Sequence, residues 1–187
     1  MLKKPEIIVF AGPNGSGKST ITKMANIIEP YINADDIKRT NNCSDLEAAQ
    51  MVDDMRNNLI LKHISFTFET VLSTDRNLKL LAKAREEGYF IRGIYVITSN
   101  PSINVVRVMG RKAAGGHDVP KDKIISRYDK ALKLISEFVQ LCDVCHMYDN
   151  SDKPYRIFKK RKDEYFYWEN CFWNKSQIDN LVDIKMK

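Results

Sequence analysis

Gly12-Pro13-Asn14-Gly15-Ser16-Gly17-Lys18-Ser19-Thr20 has the spacing G-x-x-x-x-G-K-[ST] and follows the apolar run Glu6-Ile7-Ile8-Val9-Phe10-Ala11 without a gap. That order of strand, glycine loop and helix is how a chain wraps consecutive backbone N–H groups and a helix N-terminus around one phosphate. In such a Walker A loop Lys18 reaches the β- and γ-phosphates and the Ser19 hydroxyl is offered to Mg²⁺, so ATP and Mg²⁺ are the expected ligands. The motif says what is bound, because kinases, motors and switches share it, and the reaction has to be read elsewhere.

Three further groups have the right chemistry at the right kind of place. Pro30-Tyr31-Ile32-Asn33 reads as a short strand ending at Ala34-Asp35-Asp36, which sets a carboxylate pair where strand C-terminal ends gather in an α/β sheet. Asp35 is suited to accept a proton from a substrate hydroxyl or to orient Mg²⁺, while Asp36 is expected to cap a helix starting at Ile37. A second strand, Ile64 to Phe68, delivers Glu69-Thr70-Val71-Leu72-Ser73-Thr74 to the same edge, where Glu69 holds a substrate hydroxyl or the metal's water shell, or makes a surface ion pair. Arg107 and Arg111 lie four apart on one helix face, and Arg127 follows Ala113-Ala114-Gly115-Gly116-His117-Asp118-Val119-Pro120, a glycine-rich segment with the composition of a lid. Arginines beside a closing lid suit phosphoryl transfer, where charge on the moving group must be countered and water excluded; the alternative is solvated helix charge.

The elements that must position these groups alternate. The helix after the phosphate loop is expected to run through Met24 and Ile28. Ser44-Asp45-Leu46-Glu47 forms a capping box for a long helix with Leu46, Ala49, Val52, Arg56, Leu59 and His63 on one spacing. A helix from about 75 to 87, with Leu78, Leu81 and Ala82 inward, ends at Gly88, and the run from Tyr89 to Thr98 is apolar enough for a parallel strand covered on both sides. After Asn100-Pro101, Ile103, Val106 and Met109 form a helical stripe. Pro120 suits a first helical position ahead of Ile124, Tyr128, Ala131, Ile135 and Phe138 on one inward face. Asp143 to Tyr148 is a fifth strand. Two aromatic strands, 155–158 and 164–168, flank Lys159-Lys160-Arg161-Lys162-Asp163 as a hairpin with a basic turn, and 174–182 closes as a helix. The fold class is α/β, with a mainly parallel central sheet.

With 187 residues and 43% hydrophobic content, one domain with one core is expected. Met1-Leu2-Lys3-Lys4-Pro5 leads straight into the first strand and leaves no room for a signal peptide, and no apolar run approaches the roughly 18 residues of a membrane span, so a cytoplasmic protein is expected. Cys43, Cys142, Cys145 and Cys171 suit reduced thiols, and Cys142-x-x-Cys145-His146 resembles only half of a zinc site. The net charge of +6 favours anionic ligands. The basic run at 159–162 offers an alternative reading as a nucleotide-dependent module that binds nucleic acid, disfavoured because cations at a turn are usually solvated.

Taken together, GPNGSGKST, INADDIK, FETVLS and the R-x-x-x-R…GGHDVP…R-Y series resemble the small proteins of the zeta-toxin family over roughly residues 6–151. The resemblance implies a P-loop kinase fold, helices on both faces of the sheet, a glycine-rich lid, and residues 152–187 as a C-terminal β-hairpin and helix appended to a single domain spanning 1–187. It implies ATP- and Mg²⁺-dependent phosphorylation of a small-molecule hydroxyl on a nucleotide sugar or nucleotide, the 3′-hydroxyl of UDP-N-acetylglucosamine in the characterised toxins, with an antitoxin protein as a possible partner. Asp35 matches the catalytic base, Lys18 the phosphate-loop lysine, Ser19 the magnesium ligand and Arg111 a phosphate arginine, with Arg127 as a second. Asn33, Asp35, Glu69, Thr70, Ser73 and His117 fall around the acceptor, and Arg107, Arg127 and His117 remain alternatives for the second lid group. A non-toxic housekeeping kinase is the other reading.

Overall fold

In the computed structural model, which describes residues 4–115 and 119–183, strand β1 (Glu6–Ala11) lies at the centre of the parallel part of a seven-stranded sheet. Its apolar run needs cover on every side. The strand receives it from β3 (Phe66–Thr70) and β4 (Phe90–Ile97), both parallel to it, in the order β2-β3-β1-β4-β5-β6-β7. β2 (Tyr31–Ile32) and β5 (Val144–Asp149) extend the parallel sheet at its two sides, and β6 (Tyr155–Arg161) and β7 (Glu164–Tyr167) add an antiparallel hairpin. Because the strands from β2 to β5 run the same way, their C-terminal ends share one edge, and this edge carries the glycine loop, Asp35 and Glu69.

The two sheet faces are covered unequally. On one, Ile7, Val9, Phe68, Tyr95 and Met147 pack beneath α3 (Asp45–Leu61), α4 (Arg76–Glu86), α7 (Ile135–Leu141) and α8 (Lys175–Val182), all of which contribute to one buried cluster. On the other, Ile8, Phe10, Ile94 and Val96 are covered by Ile21 of α1 (Lys18–Thr22) and by Ala25, Ile27 and Ile28. Two helices, α5 (Pro101–Ala113) and α6 (Lys121–Lys133), form a separate arm with its own small core of Val105, Val108, Val119 and Ile124.

Several boundaries differ from the sequence reading, each for a local reason. Helix α1 stops at Thr22, and the chain then lays Ile27 and Ile28 against the sheet, where Ile28 N donates to Thr67 Oγ1 at 2.8 Å. Helix α2 (Ala34–Asn41) starts three residues before Ile37, because Asn33 and not Asp36 is its cap; Asn33 Oδ1 accepts from Asp35 N at 2.9 Å, and Asp36 instead pairs with Arg39. The capping box of Ser44 and Glu47 is present, but α3 buries Ala48, Val52, Arg56 and Ile60, leaving Leu46 exposed. β3 starts two residues later than expected and so includes Glu69 and Thr70. Helix α4 turns Ala84 rather than Ala82 into the core. In α5 the inward residues are Asn104, Val105 and Val108, whereas Val106 and Met109 of the expected stripe are 68% and 61% exposed. Pro120 precedes α6 instead of opening it, and the expected long helix divides at Leu134 into α6 and α7. In the hairpin, Lys159, Lys160 and Arg161 belong to β6, so the turn is Lys162-Asp163 alone.

Arg56 is the buried charge that ties α3 to the site edge. It is 4% exposed, lies 4.1 Å over the Phe68 ring, and donates to Asn77 Oδ1 (3.0 Å) and Glu69 O (3.2 Å). Burial pulls its guanidinium down to about 9. Arg56→Ala leaves those acceptors without their donor and is expected to lower the unfolding free energy by about 3 kcal/mol in urea denaturation. Arg56→Lys recovers only part of this, lacking the planar fork. An unchanged midpoint for Arg56→Ala would contradict the assigned role.

No described helix is long and apolar enough to cross a membrane. Cys142 and Cys145 are buried free thiols, and among the described residues no three His, Cys, Asp or Glu side chains converge as a metal site.

Candidate active site

The glycine loop holds its shape through its neighbours as much as through its own residues. Gly15 (φ 76°) and Gly17 (φ 93°) are left-handed, and a Cβ at either would lie 2.5 Å from Asn104 O or 2.1 Å from Asn150 Nδ2. Those two asparagines hold the loop: Asn104 Nδ2 donates to Asn14 O (2.7 Å) and Asn150 Nδ2 to Ser16 O (2.7 Å). Asn150 is itself fixed by Arg107, which donates to Asn150 O at 2.7 Å and Ser151 O at 3.2 Å. Arg107 therefore lines the cleft while supporting the base of the loop.

Above the loop lies a cavity of about 490 Å³, lined among others by Gly15, Gly17 to Thr20, Asn33, Asp35, Glu69, Thr70, Arg107, Arg111 and Arg127. Lys18 Nζ donates to Gly12 O (2.7 Å) and Pro13 O (3.1 Å). Burial brings its ammonium down to about 8, against the opposing pull of Glu69 and Asp35 and with a smaller contribution from Arg111. Ser19 is exposed at the cavity floor, and Asp35 is exposed in the first turn of α2.

Glu69 is held by one neighbour and flanked by another. Thr22 Oγ1 donates to its Oε1 at 2.8 Å, and the Tyr31 hydroxyl, which accepts from Asn33 Nδ2 at 3.3 Å, lies beside the same carboxylate. Burial, reinforced by Glu69, pushes the Tyr31 phenol well above its ordinary value, so it stays a donor. Thr70 lines the cavity, but its Oγ1 accepts from Leu72 N (3.0 Å) and Asn77 Nδ2 (2.8 Å) and so shapes the turn after β3. Asn33 also lines the cavity while its side chain caps α2. Ser73 is not among the residues bordering the cavity, because β3 extends to Thr70 and the chain turns away through Leu72 in a left-handed conformation. His117 and Gly116 lie outside the described residues.

Pro13, Gly12 and Ser16 sit beneath the floor and are buried. Tyr31, Thr22, Asn104 and Asn150 are the partners that the sequence reading did not single out. The one available signal was Asn104, a polar residue between Ile103 and Val105 in an apolar helix.

No family model matches the sequence. An uncharacterized protein of Haemophilus influenzae (strain ATCC 51907 / DSM 11121 / KW20 / Rd) is 28% identical over 127 residues, which is 65% of this chain and 91% of that protein. Among solved structures, AvrRxo1-ORF1:AvrRxo1-ORF2 with ATP superposes with a TM-score of 0.74 at 14% identity, covering 96% of this chain and 64% of that one. This chain thus spans less than two thirds of the AvrRxo1 structure it matches. The PezAT chromosomal toxin–antitoxin system of Streptococcus pneumoniae superposes with a TM-score of 0.59 at 17% identity, covering 99% and 81% of the two chains. The chain shares the α/β fold of these structures, with a glycine phosphate loop after the central strand.

The α5–α6 arm brings two more cations to the cavity that Asp35 borders. Arg111, near the C-terminal end of α5, has no hydrogen-bond or ion-pair partner among the described residues. Arg127, from α6, makes one long contact at 3.4 Å with Asn14 Oδ1. Asp45 at the start of α3 also borders the cavity and pairs with Lys38 at 2.6 Å.

Proposed function

We propose that this cavity carries out ATP-dependent transfer of a phosphoryl group to a hydroxyl of a nucleotide sugar or nucleotide. The observation that supports it best is the convergence on one cavity of Lys18, Arg111 and Arg127 with the exposed carboxylate of Asp35. The cations suit the triphosphate and the transferred group; the carboxylate suits the acceptor.

The loop fits the donor nucleotide. Its left-handed glycines leave no room for side chains, and Lys18 presently spends its hydrogen bonds on Gly12 O and Pro13 O, which phosphate oxygens would replace. Mg²⁺ fits as well: the Ser19 hydroxyl is the direct ligand the chain offers, and the ion supplies neutralisation of phosphate charge. Asp35 takes up the acceptor's proton, Arg111 and Arg127 counter charge on the phosphate oxygens, and Glu69, held by Thr22 beside Tyr31, presents a fixed acceptor of hydrogen bonds to the substrate. Asn33 and Thr70 border that substrate as walls. His117 and Ser73 are proposed from the resemblance alone.

The acceptor suggested by the resemblance is the 3′-hydroxyl of UDP-N-acetylglucosamine, and the site of action the cytoplasm. The AvrRxo1-ORF1:-ORF2 complex and the PezAT toxin–antitoxin system support looking for an antitoxin partner here. Mass spectrometry of metabolites from cells expressing the protein, with labelled ATP and an acceptor panel in vitro, tests the reaction. Asp35→Asn is expected to lower kcat about 10²-fold with ATP affinity unchanged. Equally fast transfer by Asp35→Asn would remove it as the base, and a triphosphate hydrolysed with no phosphorylated acceptor would overturn the kinase reading.

A further inference from the structure

Over β5, β6 and β7, no described helix packs on the sheet face that α1 covers farther in; the helices of the larger layer contribute to the opposite cluster. What lies on this open face is not the ordinary polar lawn of a solvated sheet. His146, Lys159 and Phe166 are successive partners across β5, β6 and β7, and Tyr148 faces Arg156 in the neighbouring row. Just past β7, the backbone N–H of Trp168 donates to Ile157 O at 3.0 Å, beside Arg156.

The side chains assemble into a platform of rings and cations. His146 stacks along Tyr148 and Phe166 along Trp168, each pair with centroids 6.4 Å apart. The Arg156 guanidinium lies 4.2 Å over the Trp168 ring and Lys159 Nζ 5.5 Å over Phe166, which is 41% exposed. Of the other charges near the platform, Arg92 pairs with Glu6 at 2.8 Å, and Arg161, opposite Glu164 in register, is exposed at the end of β6. Arg156 and Lys159 have no carboxylate partner among the described residues. Burial and the charges of Arg156, Lys159 and Arg92 hold His146 neutral, down to about 4.

The core of a protein interface is depleted of lysine, and here Lys159 stands in the middle of the ring row over Phe166. Rings edged by unpaired cations are instead what a flexible polyanion with flat bases requires: stacking on aromatic and guanidinium planes, and ammonium groups for the phosphates. We infer that this sheet face binds single-stranded nucleic acid, with bases stacked on Phe166 and on the Arg156-capped Trp168, and with Lys159 on the phosphate backbone. The surface differs from the basic turn suggested by the sequence, since Lys160 points to the other face and donates to Val139 O (2.9 Å) and Gln140 O (3.1 Å) at the end of α7.

Fluorescence anisotropy of the full chain with labelled oligouridylate and oligothymidylate, at low salt and without ATP, tests the inference. Phe166→Leu, which keeps apolar bulk without the ring, is expected to weaken binding about tenfold, and Phe166→Tyr to retain it. Lys159→Ala is expected to reduce the slope of log affinity against log salt by about 0.7, the loss of one single-strand phosphate contact. Lys162→Ala, in the turn, should leave both unchanged. Ring-dependent binding of either oligonucleotide supports the platform. Absence of binding at low salt would overturn it, as would affinity indifferent to Phe166→Leu, or duplex bound as well as single strand. Matching thermal midpoints for the variants separate lost contacts from lost folding.

Discussion

Lys18→Ala is expected to lower kcat/KM for phosphoryl transfer by about 10³-fold. Two charge-assisted hydrogen bonds to phosphate oxygens, at roughly 2 kcal/mol each, correspond to that factor. The lysine's present acceptors, Gly12 O and Pro13 O, belong to buried residues beneath the cavity floor, so the thermal midpoint is measured beside the kinetics to separate a lost phosphate contact from a loosened loop. The depressed ammonium adds a pH signature. In the free protein Lys18 loses its proton as pH rises through about 8, whereas a bound triphosphate favours the charged form and raises that value. Nucleotide affinity should therefore be level below about pH 8 and fall above it, and binding just above that pH should take up a fraction of a proton. Calorimetry in buffers of different ionisation heat reads the uptake directly, and Lys18→Ala should abolish it. An affinity that holds steady well above pH 8 would assign the phosphate contact to another group.

Arg111→Ala should reduce kcat by about 10³-fold while changing the KM for ATP little, the pattern of an arginine that meets charge only in the transition state. The structural basis is that Arg111 has no hydrogen-bond or ion-pair partner to lose among the described residues, so the thermal midpoint should stay put. Arg107, one turn earlier, is the instructive contrast: it is bound to Asn150 O and Ser151 O, and its removal should loosen the loop and raise KM as well as lower kcat. Steady-state kinetics on the two variants distinguish these roles. Equal losses in kcat and ATP binding for Arg111→Ala would make it a ground-state ligand instead.

The parts of the molecule legible in the sequence are those where one residue type has one physical use. The glycine loop, the apolar run of β4, the left-handed turn at Gly88 and the acids at strand ends all appear where composition put them. The misreadings come from residues with two uses. Val106 and Met109 have the hydrophobicity of a core face, yet α5 turns Asn104 inward because the loop carbonyl of Asn14 needs a donor. Asp36 looked like the cap of α2, but Asn33 reached the vacant N–H first in the chain. The restraint on Glu69 was illegible for a different reason. Thr22 and Tyr31 are far from it in sequence and meet it only because β2 pairs with β3 beside α1.

The clip between Asn104 and Asn14 also sets the mechanics of the arm. Asn104 is pinned on both sides, its amide donating to the loop and its carbonyl oxygen accepting from Thr98, so any rigid tilt of α5 has its fulcrum there. At about 1.5 Å of rise per residue, Arg107 rides roughly 4.5 Å from that fulcrum and Arg111 roughly 10 Å. A swing of about 10° therefore carries Arg111 through nearly 2 Å, roughly a hydrogen bond's tolerance, while Arg107 shifts less than about 1 Å. Leverage alone thus lets one helix keep the first arginine seated while the second engages and withdraws.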